Sequence, residues 1–123
     1  MSKTTALRKL VREAMQTVQG GTYHQSAPPD AVYPYKTFTL KSVSFTEARD
    51  DFDLCVDIWG RGDRKVAEEV ADRVEKLFQN ANLPQETILP TFYRDARYNL
   101  DDPDKTLQHI QLRFLVQLYE QEE

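Results

Sequence analysis

Two segments of the chain repeat apolar residues at the spacing of an amphipathic helix. Over residues 3–18 apolar side chains recur every three or four positions, charged ones fill the other face, and two glycines at positions 20 and 21 end the pattern. Residues 66–78 carry a second apolar stripe that follows Asp63, whose side chain is well placed to cap the first turn. We therefore predict two helices, each with one buried face.

Four further segments have the composition of strands. Alternation is strictest over residues 51–59, and residues 32–40 form a strand that lies at a sheet edge or begins beyond Pro34, because proline lacks a ladder donor. Residues 87–100 and 107–119 flank the turn 101–104, in which proline suits position i+1 of a type I bend. The polar residues 41–50 join the first two strands as an antiparallel hairpin, and the proline-containing residues 22–30 are predicted to be an exposed loop.

This order of elements predicts an α+β fold of two layers. One mainly antiparallel sheet is covered on one face by two helices, in the order α-β-β-α-β-β. The C-terminal hairpin is long: about 12 residues per strand at about 3.3 Å each reach about 40 Å, against a domain diameter of about 35 Å. We expect part of it to overhang the body and to pair with a neighbouring subunit.

Length and composition limit the class of protein. The chain has 123 residues, 40% of them apolar, which is enough for one core and too few for two ordinary domains, so we expect a single domain over residues 1–123. The net charge of -4 favours neither nucleic acid nor an anionic membrane as a partner. One cysteine, no secretory pattern and no stretch of roughly 18 apolar residues indicate a protein made in a reducing cytoplasm.

The polar residues do not assemble into a predicted reaction centre. His24 and His109 have no cysteine or acidic residue at a zinc-ligand spacing, and Cys55 lies inside a strand without the features of an activated thiol. The acidic turn 101–104 lacks the glycine and the distal glutamate of a calcium loop, and the Arg-Gly-Asp at 61–63 is explained by a turn and a helix cap. We predict no enzyme activity, no cofactor and no metal site.

Several stretches together resemble a known family. They are the strand at residues 32–38, the strand at 52–60 that runs into the helix at 66–78, the segment 92–97, and the turn 102–104 followed by residues 112–114. In this pattern, which covers nearly the whole chain, the sequence resembles the tail completion or tail terminator proteins of long-tailed bacteriophages and prophages, a group that includes neck and minor tail components.

The resemblance implies a structural virion protein of the tail or neck, made in the bacterial host cytoplasm. It implies a ring, commonly of six copies, that caps the head-proximal end of the tail tube and helps to join the tail to the head. Its partners would be other copies of itself, the tail tube protein and the head connector proteins. DNA would pass through the ring without specific binding, and no membrane would be involved.

A closed ring needs two different interface patches on each subunit. We expect one patch in the loop 22–30 and the other in the hairpin turn 101–105, with exposed aromatic residues as further anchors. The candidate interface residues are Tyr23, Pro28, Pro29, Asp30, Trp59, Tyr93, Asp101, Asp102, Asp104, Lys105 and Tyr119.

Two alternatives stay open. The first is a head-closure or connector adaptor protein, which is also small and ring-forming and which the sequence barely separates from a tail terminator. The second is a non-viral protein-binding regulatory module, for which a dimer in dilute solution is the expected sign.

Overall fold

The computed structural model describes residues 2–45, 49–85 and 87–120. In chain order the described elements are α1 (Lys3–Met15), β1 (Gly21–His24), β2 (Tyr35–Phe45), β3 (Arg49–Arg61), α2 (Arg64–Phe78), β4 (Ala81–Asn82), β5 (Ile88–Leu100) and β6 (Leu107–Glu120). The six described strands form one sheet in the order β1-β2-β3-β6-β5-β4, curled into a half-barrel. The α+β class predicted from the sequence is confirmed.

Both helices begin where a side chain accepts a hydrogen bond from the first turn. Ser2 Oγ accepts from the amide of Thr5 at 3.1 Å, and Asp63 Oδ1 accepts from the amide of Lys65 at 2.9 Å. Gly62, just before the second cap, has φ +88°, a conformation that glycine adopts without strain. The cap predicted at Asp63 is confirmed.

The chain that leaves α1 is held by a buried lysine. The helix ends at Met15, before the predicted end, but Val18 is still buried. Lys36 Nζ donates hydrogen bonds to three successive carbonyl oxygens, those of Val18 at 3.1 Å, Gln19 at 2.8 Å and Gly20 at 2.8 Å. These bonds fix the segment that leads into β1.

The two helices and one face of the sheet share a hydrophobic core. The sheet contributes Phe38, Phe52, Leu54, Val56, Ile58, Ile88, Phe92, Ile110, Leu112, Phe114, Val116 and Leu118, and the helices contribute Leu7, Leu10, Val11, Met15, Ala67, Val70, Ala71, Val74 and Phe78. Phe78 packs against Phe92 and Phe114 with ring centroids 4.8 and 5.5 Å apart, an aromatic cluster at the centre of this core. We call the buried side of the sheet the helix face and the other side the open face.

Two short strands were not predicted. Residues 22–24, expected in a loop, belong to β1, which runs parallel to β2 with Gly21 opposite Tyr35 and His24 opposite Phe38. β4 pairs antiparallel with β5. Strands of four and two residues are too short for alternation to reveal them. The predicted order of elements is therefore incomplete, because it lacks β1 and β4. The sheet, predicted to be mainly antiparallel, contains one parallel pair among the described strands, β1 with β2.

The predicted hairpin of the first two strands is confirmed, with different ends. β2 begins at Tyr35, directly after Pro34, which is the second of the two alternatives predicted for this strand. The peptide bond between Tyr33 and Pro34 is cis. β2 and β3 pair antiparallel, and each extends into the connection expected at 41–50. Residues 46–48 of that connection lie outside the described residues.

The C-terminal hairpin lies within the sheet along its whole length. The turn predicted at 101–104 does join β5 to β6. β6 pairs with β3 from Leu107, opposite Arg61, to Tyr119, opposite Arg49. The expectation that part of the hairpin overhangs is therefore wrong: β3 extends two residues past each predicted end, at Arg49 and at Arg61, and supports the hairpin throughout.

A bulge in β5 keeps two arginines on the helix face. One extra residue, Asp95, interrupts the pairing of β5 with β6 just after Arg94. Arg94 Nε and Arg97 Nη1 consequently both reach the nearly buried carboxylate of Glu75 in α2, at 3.5 and 2.8 Å, and Arg97 Nη1 also lies 2.7 Å from Asp72 Oδ1. In a strand without a bulge, side chains three positions apart point to opposite faces.

Candidate functional site

A row of aromatic rings crosses the open face. Trp59 stacks on His109 with ring centroids 3.7 Å apart, and Tyr35 lies 6.4 Å from Trp59 on the neighbouring strand. Tyr23 in β1 meets Tyr35 edge to face at 6.1 Å. The register produces this row, because Tyr35 is opposite Trp59 and Trp59 is opposite His109. The row is half-buried and lies close to the end of the sheet where β3 leads into α2.

A polar cluster lies beside the aromatic row. Asp57 Oδ1 is 2.6 Å from His109 Nε2 and accepts a hydrogen bond from Gln111 Nε2 at 3.1 Å. Burial opposes ionisation of Asp57, but the hydrogen bonds from His109 and Gln111 outweigh it, so the pKa of this carboxyl is lowered. Sequence analysis found no acidic partner for His109; the partner lies on the adjacent strand, 52 residues away.

The one cysteine of the chain belongs to the same cluster. Cys55 Sγ lies 3.9 Å from Asp57 Oδ2, and burial, reinforced by the nearby carboxylate, raises the pKa of the thiol to about 11. The thiol is therefore protonated near neutral pH and is a poor nucleophile. Within residues 2–45, 49–85 and 87–120, no group of three or more His, Cys, Asp or Glu side chains could hold a metal ion.

The hairpin turn after β5 is tied to the body of the protein. Asp104 Oδ1 accepts hydrogen bonds from the hydroxyl and the amide of Thr106 at 2.7 and 3.0 Å, and Asp104 Oδ2 lies 3.0 Å from Arg61 Nη1. These donors lower the pKa of Asp104 to about 2. The amide of Gly62 donates to the carbonyl oxygen of Thr106 at 2.9 Å. The turn thus presents its acidic side chains from a fixed position.

Arg61 also connects this turn to the segment that precedes β2. Its guanidinium carbon lies 5.0 Å from the centroid of the Tyr33 ring, a cation–π contact. Tyr33 in turn lies 5.3 Å from Tyr35, the second ring of the aromatic row. The end of the loop that follows β1, the hairpin turn and the aromatic row therefore form one continuous surface.

Two stretches at the edges of the sheet have no partner among the described strands. β1 covers β2 only over residues 35–38, and β4 covers β5 only over residues 91–92. We call residues 39–45 the β2 edge and residues 93–100 the β5 edge. Their exposed backbone groups form templates for another strand.

Each edge carries exposed apolar side chains, and the two edges lie on opposite sides of the sheet, one along β2 and one along β5. Val43 on the β2 edge is 47% exposed, and Tyr93, Tyr98 and Leu100 on the β5 edge are 40, 49 and 38% exposed. Tyr35, covered by β1, is level with Leu100 through the register of the intervening strands. The β5 edge therefore ends at the level where β1 begins, whereas the β2 edge lies further along the sheet.

The predicted interface residues fall into three groups. Pro28, Pro29 and Asp30 are exposed in the segment after β1, and Asp101, Asp104 and Lys105 are exposed in the hairpin turn, where Asp102 is partly buried. Tyr23 and Trp59 both belong to the aromatic row. Tyr93 and Tyr119 are exposed on β5 and β6 away from this row. The structure places Tyr23 and Trp59 in one row, on the same surface as the hairpin turn, and leaves Tyr93 and Tyr119 apart from it.

Sequence reasoning missed Tyr35, His109, Arg61 and Tyr98 as members of these surfaces. Their places depend on pairing between strands distant in the chain, and the one available signal was the run of aromatic residues in 33–38. Neither described helix is long and apolar enough to cross a membrane.

Comparisons with known proteins point to one family. The family model described as tail completion protein gp17 matches residues 5–118, which is nearly all of the chain between the start of α1 and the end of β6. A chain in the solved structure of the virion of a native gene transfer agent (GTA) particle has a similar fold, with a TM-score of 0.63 and 12% identity over 91% of this chain and 85% of that chain. No curated protein matches the chain.

Proposed function

Because this chain belongs to the tail completion protein family, as its resemblance predicted, we propose that it closes the head-proximal end of a bacteriophage tail tube as an oligomeric ring and helps to join the tail to the head. The protein is a structural component of the virion tail and acts in contact with other phage structural proteins. The family match over residues 5–118 is the observation that carries the proposal.

The ring is supported by the two different open edges of the sheet. A ring of identical subunits needs a head-to-tail interface, in which one patch of a subunit contacts a different patch of its neighbour. The β2 edge and the β5 edge are such a pair of patches, on opposite sides of one sheet. We take the ring to contain six copies, the number that the family resemblance implies.

We assign the partners of this ring from the same reasoning. One end contacts the tail tube protein and the other the head connector proteins, through the segment 22–30, the hairpin turn 101–105 and the exposed rings of Tyr93 and Tyr119. DNA passes through the centre without base-specific contacts, for which a net charge of -4 is suitable. The role is mechanical, in keeping with a family of structural virion proteins.

Deletion of the gene from the phage or prophage that encodes the chain tests this proposal. Electron microscopy of the lysate is expected to show tails of uncontrolled length or full heads and tails that have not joined, and a plasmid copy of the gene should restore normal particles. Normal infectious particles from the deletion strain would contradict the proposal.

A second measurement distinguishes a tail terminator from a head-closure adaptor. Tails purified from a mutant that makes no heads, and heads purified from a mutant that makes no tails, are assayed for the protein by mass spectrometry. Its presence on the isolated tails supports the tail terminator role, and its presence only on the heads supports the adaptor.

A further inference from the structure

We propose that neighbouring copies join by antiparallel pairing of the β5 edge of one copy with the β2 edge of the next, so that their sheets become continuous. This inference rests on the proposed ring and identifies the surfaces that build it. The occupant of each open edge is therefore a second copy of this chain.

The directions of the two edge strands fit this junction. β2 is antiparallel to β3, β3 to β6, and β6 to β5, so β2 and β5 run in opposite directions within one sheet. When a second copy is placed beside the first in the same orientation, its β2 is antiparallel to β5 of the first. Antiparallel neighbours need no crossover and form the more stable ladder.

The facing of the side chains fits as well. The carbonyl oxygen of Phe38 accepts a hydrogen bond from Gln25 at 2.8 Å beyond β2, and that of Pro90 accepts one from Leu83 at 3.1 Å beyond β5. Phe38 and Pro90 are both buried, so at each edge the helix-face residues direct their backbone groups outward. Residues that exchange hydrogen bonds across an antiparallel pair share a face. The junction therefore continues helix face into helix face, and open face into open face.

One register uses both edges without a clash. Pairing Leu40 with Asn99 and Ser42 with Arg97 brings Thr39 opposite Leu100. The β1 strand of the second copy, which covers residues 35–38, then lies just beyond the end of β5, and β4 of the first copy lies beyond the other end of the paired region. A register two residues further in either direction either overlaps β1 with β5 or loses hydrogen bonds.

The same register is compatible with a closed ring. Within one copy Tyr35 is level with Leu100, so the junction displaces the second copy by four residues, about 14 Å along the strands. The four long strands of each copy span about 19 Å across the sheet. A rise of about 14 Å over about 19 Å corresponds to strands tilted by about 35° from the ring axis, as in ordinary closed barrels.

Charge complementarity supports the contact at the end of the junction. The exposed Asp101 and the neighbouring Asp102 of one copy would face the end of β1 of the next copy. That end carries His24. Burial is the largest cause that lowers the pKa of its imidazole, and the nearby Arg8 and Arg12 of α1 lower it further. An acidic turn thus meets a basic patch, and the junction joins the two interface segments that the sequence predicted separately.

Disulfide trapping tests the junction in assembled particles. In a Cys55→Ser background, Lys41→Cys and Tyr98→Cys place thiols opposite each other on the open face, in a pair without mutual backbone hydrogen bonds whose Cα atoms are about 4.5 Å apart. This distance suits a disulfide. Within one copy the two positions are separated by the whole sheet. Oxidised particles are expected to yield a ladder of covalent oligomers on a non-reducing gel.

A matched pair, Lys41→Cys with Tyr93→Cys in the same background, is the control. It changes the same residue types on the same edges, but the thiols are about 14 Å out of register, because the bulge leaves Tyr93 and Tyr98 four positions apart along β6. Equal cross-linking of both pairs, or none in either, in particles with normal tail ends would overturn the junction and leave the proposed ring intact. Absence of the protein from the tail ends of wild-type particles would instead contradict the proposed function.

A proline variant keeps the test decisive if the thiol variants fold poorly. The amide of Asn99 points outward, so Asn99→Pro leaves the pairing of β5 with β6 intact, whereas Tyr98→Pro removes a donor directed at β6. Purified N99P is expected to melt within a few degrees of the wild type but to be lost at least tenfold from particles. Normal incorporation of folded N99P would overturn the proposal.

Discussion

The position of β1 depends on one buried side chain, that of Lys36. Its ammonium group is fully buried and donates to three carbonyl oxygens at the end of the α1 segment. Burial lowers the pKa of Lys36 from its ordinary value of 10.5 to about 8, so the group still carries its charge at neutral pH. Charge-assisted hydrogen bonds offset the cost of removing an ammonium group from water.

We expect Lys36→Met to lower the free energy of unfolding by about 1–3 kcal/mol at pH 7, because three carbonyl oxygens, that of Val18 buried and those of Gln19 and Gly20 partly buried, lose their common donor. The difference in the free energy of unfolding between wild type and variant also depends on pH. Between pH 8 and 10.5 the unfolded chain binds a proton that the folded chain has released, so the wild type gains stability relative to the variant, by at most about 3 kcal/mol.

Urea unfolding of both proteins at pH 7, 8.5 and 10 measures this change. The comparison removes the effects of the other titrating groups, which the two proteins share. A difference between wild type and variant that stays constant from pH 7 to pH 10 would contradict the lowered pKa.

Interactions within a few residues could be predicted from the sequence, and those between distant residues could not. Asp63 was predicted as a cap because a cap acts on the next turn of the chain. The carbonyl partners of Lys36 are 16 to 18 residues away, and His109 is 52 residues from Asp57. Nothing in the local pattern of 33–38 distinguishes a buried lysine from a solvent-exposed one.

At the scale of elements, length decided what could be predicted. Helices and strands of 11 to 15 residues show their period clearly, and all six such elements were predicted. β1 and β4 have four and two residues, and each forms because a long neighbouring strand offers an edge. The prediction that the hairpin overhangs was wrong for a related reason. The ends of a strand are set by its partners, and β3 and β6 pair over thirteen residues.

The hairpin turn shows how an element becomes an interface patch. Hydrogen bonds from Arg61 to Asp104 and Thr106, and from the Gly62 amide to Thr106, hold it against the connection between β3 and α2. A fixed turn loses little conformational freedom on binding, so more of its contact energy appears as affinity. The candidate interface at 101–105 was predicted from its sequence, whereas its rigidity became evident only from the structure.

At the scale of the whole molecule, a small effect is repeated at every junction of a ring. Asp101→Lys would place a positive charge against Arg12 of the next copy, and we expect each junction to lose about 0.5–1 kcal/mol. Incorporation into particles should fall several-fold, with little change in the melting temperature of the isolated protein. Quantitative mass spectrometry of purified particles measures the incorporation.

The reverse change supplies the control for this prediction. Arg12→Glu alone should weaken assembly in the same way, and the double variant should recover most of the loss. Glu69→Lys, an exposed reversal on α2 outside the proposed junction, should have no effect. If the double variant is incorporated no better than the single variants, the charges at positions 12 and 101 do not interact, and the proposed contact between them is wrong.

The bulge in β5 has a consequence for heredity as well as for packing. Removal of Asp95 alone would leave Arg94 opposite Phe114 and Ala96 opposite Arg113, so that β5 becomes a regular strand and Arg97, Tyr98 and Leu100 keep their faces. We expect this deletion to lower the free energy of unfolding less than Arg97→Met does, because the buried carboxylate of Glu75 keeps its partner, and thermal melting of both variants would measure the difference. What the last stretch of β5 presents to a neighbour thus survives the loss of this one codon, which removes the bulge without exchanging the inner and outer surfaces of the strand.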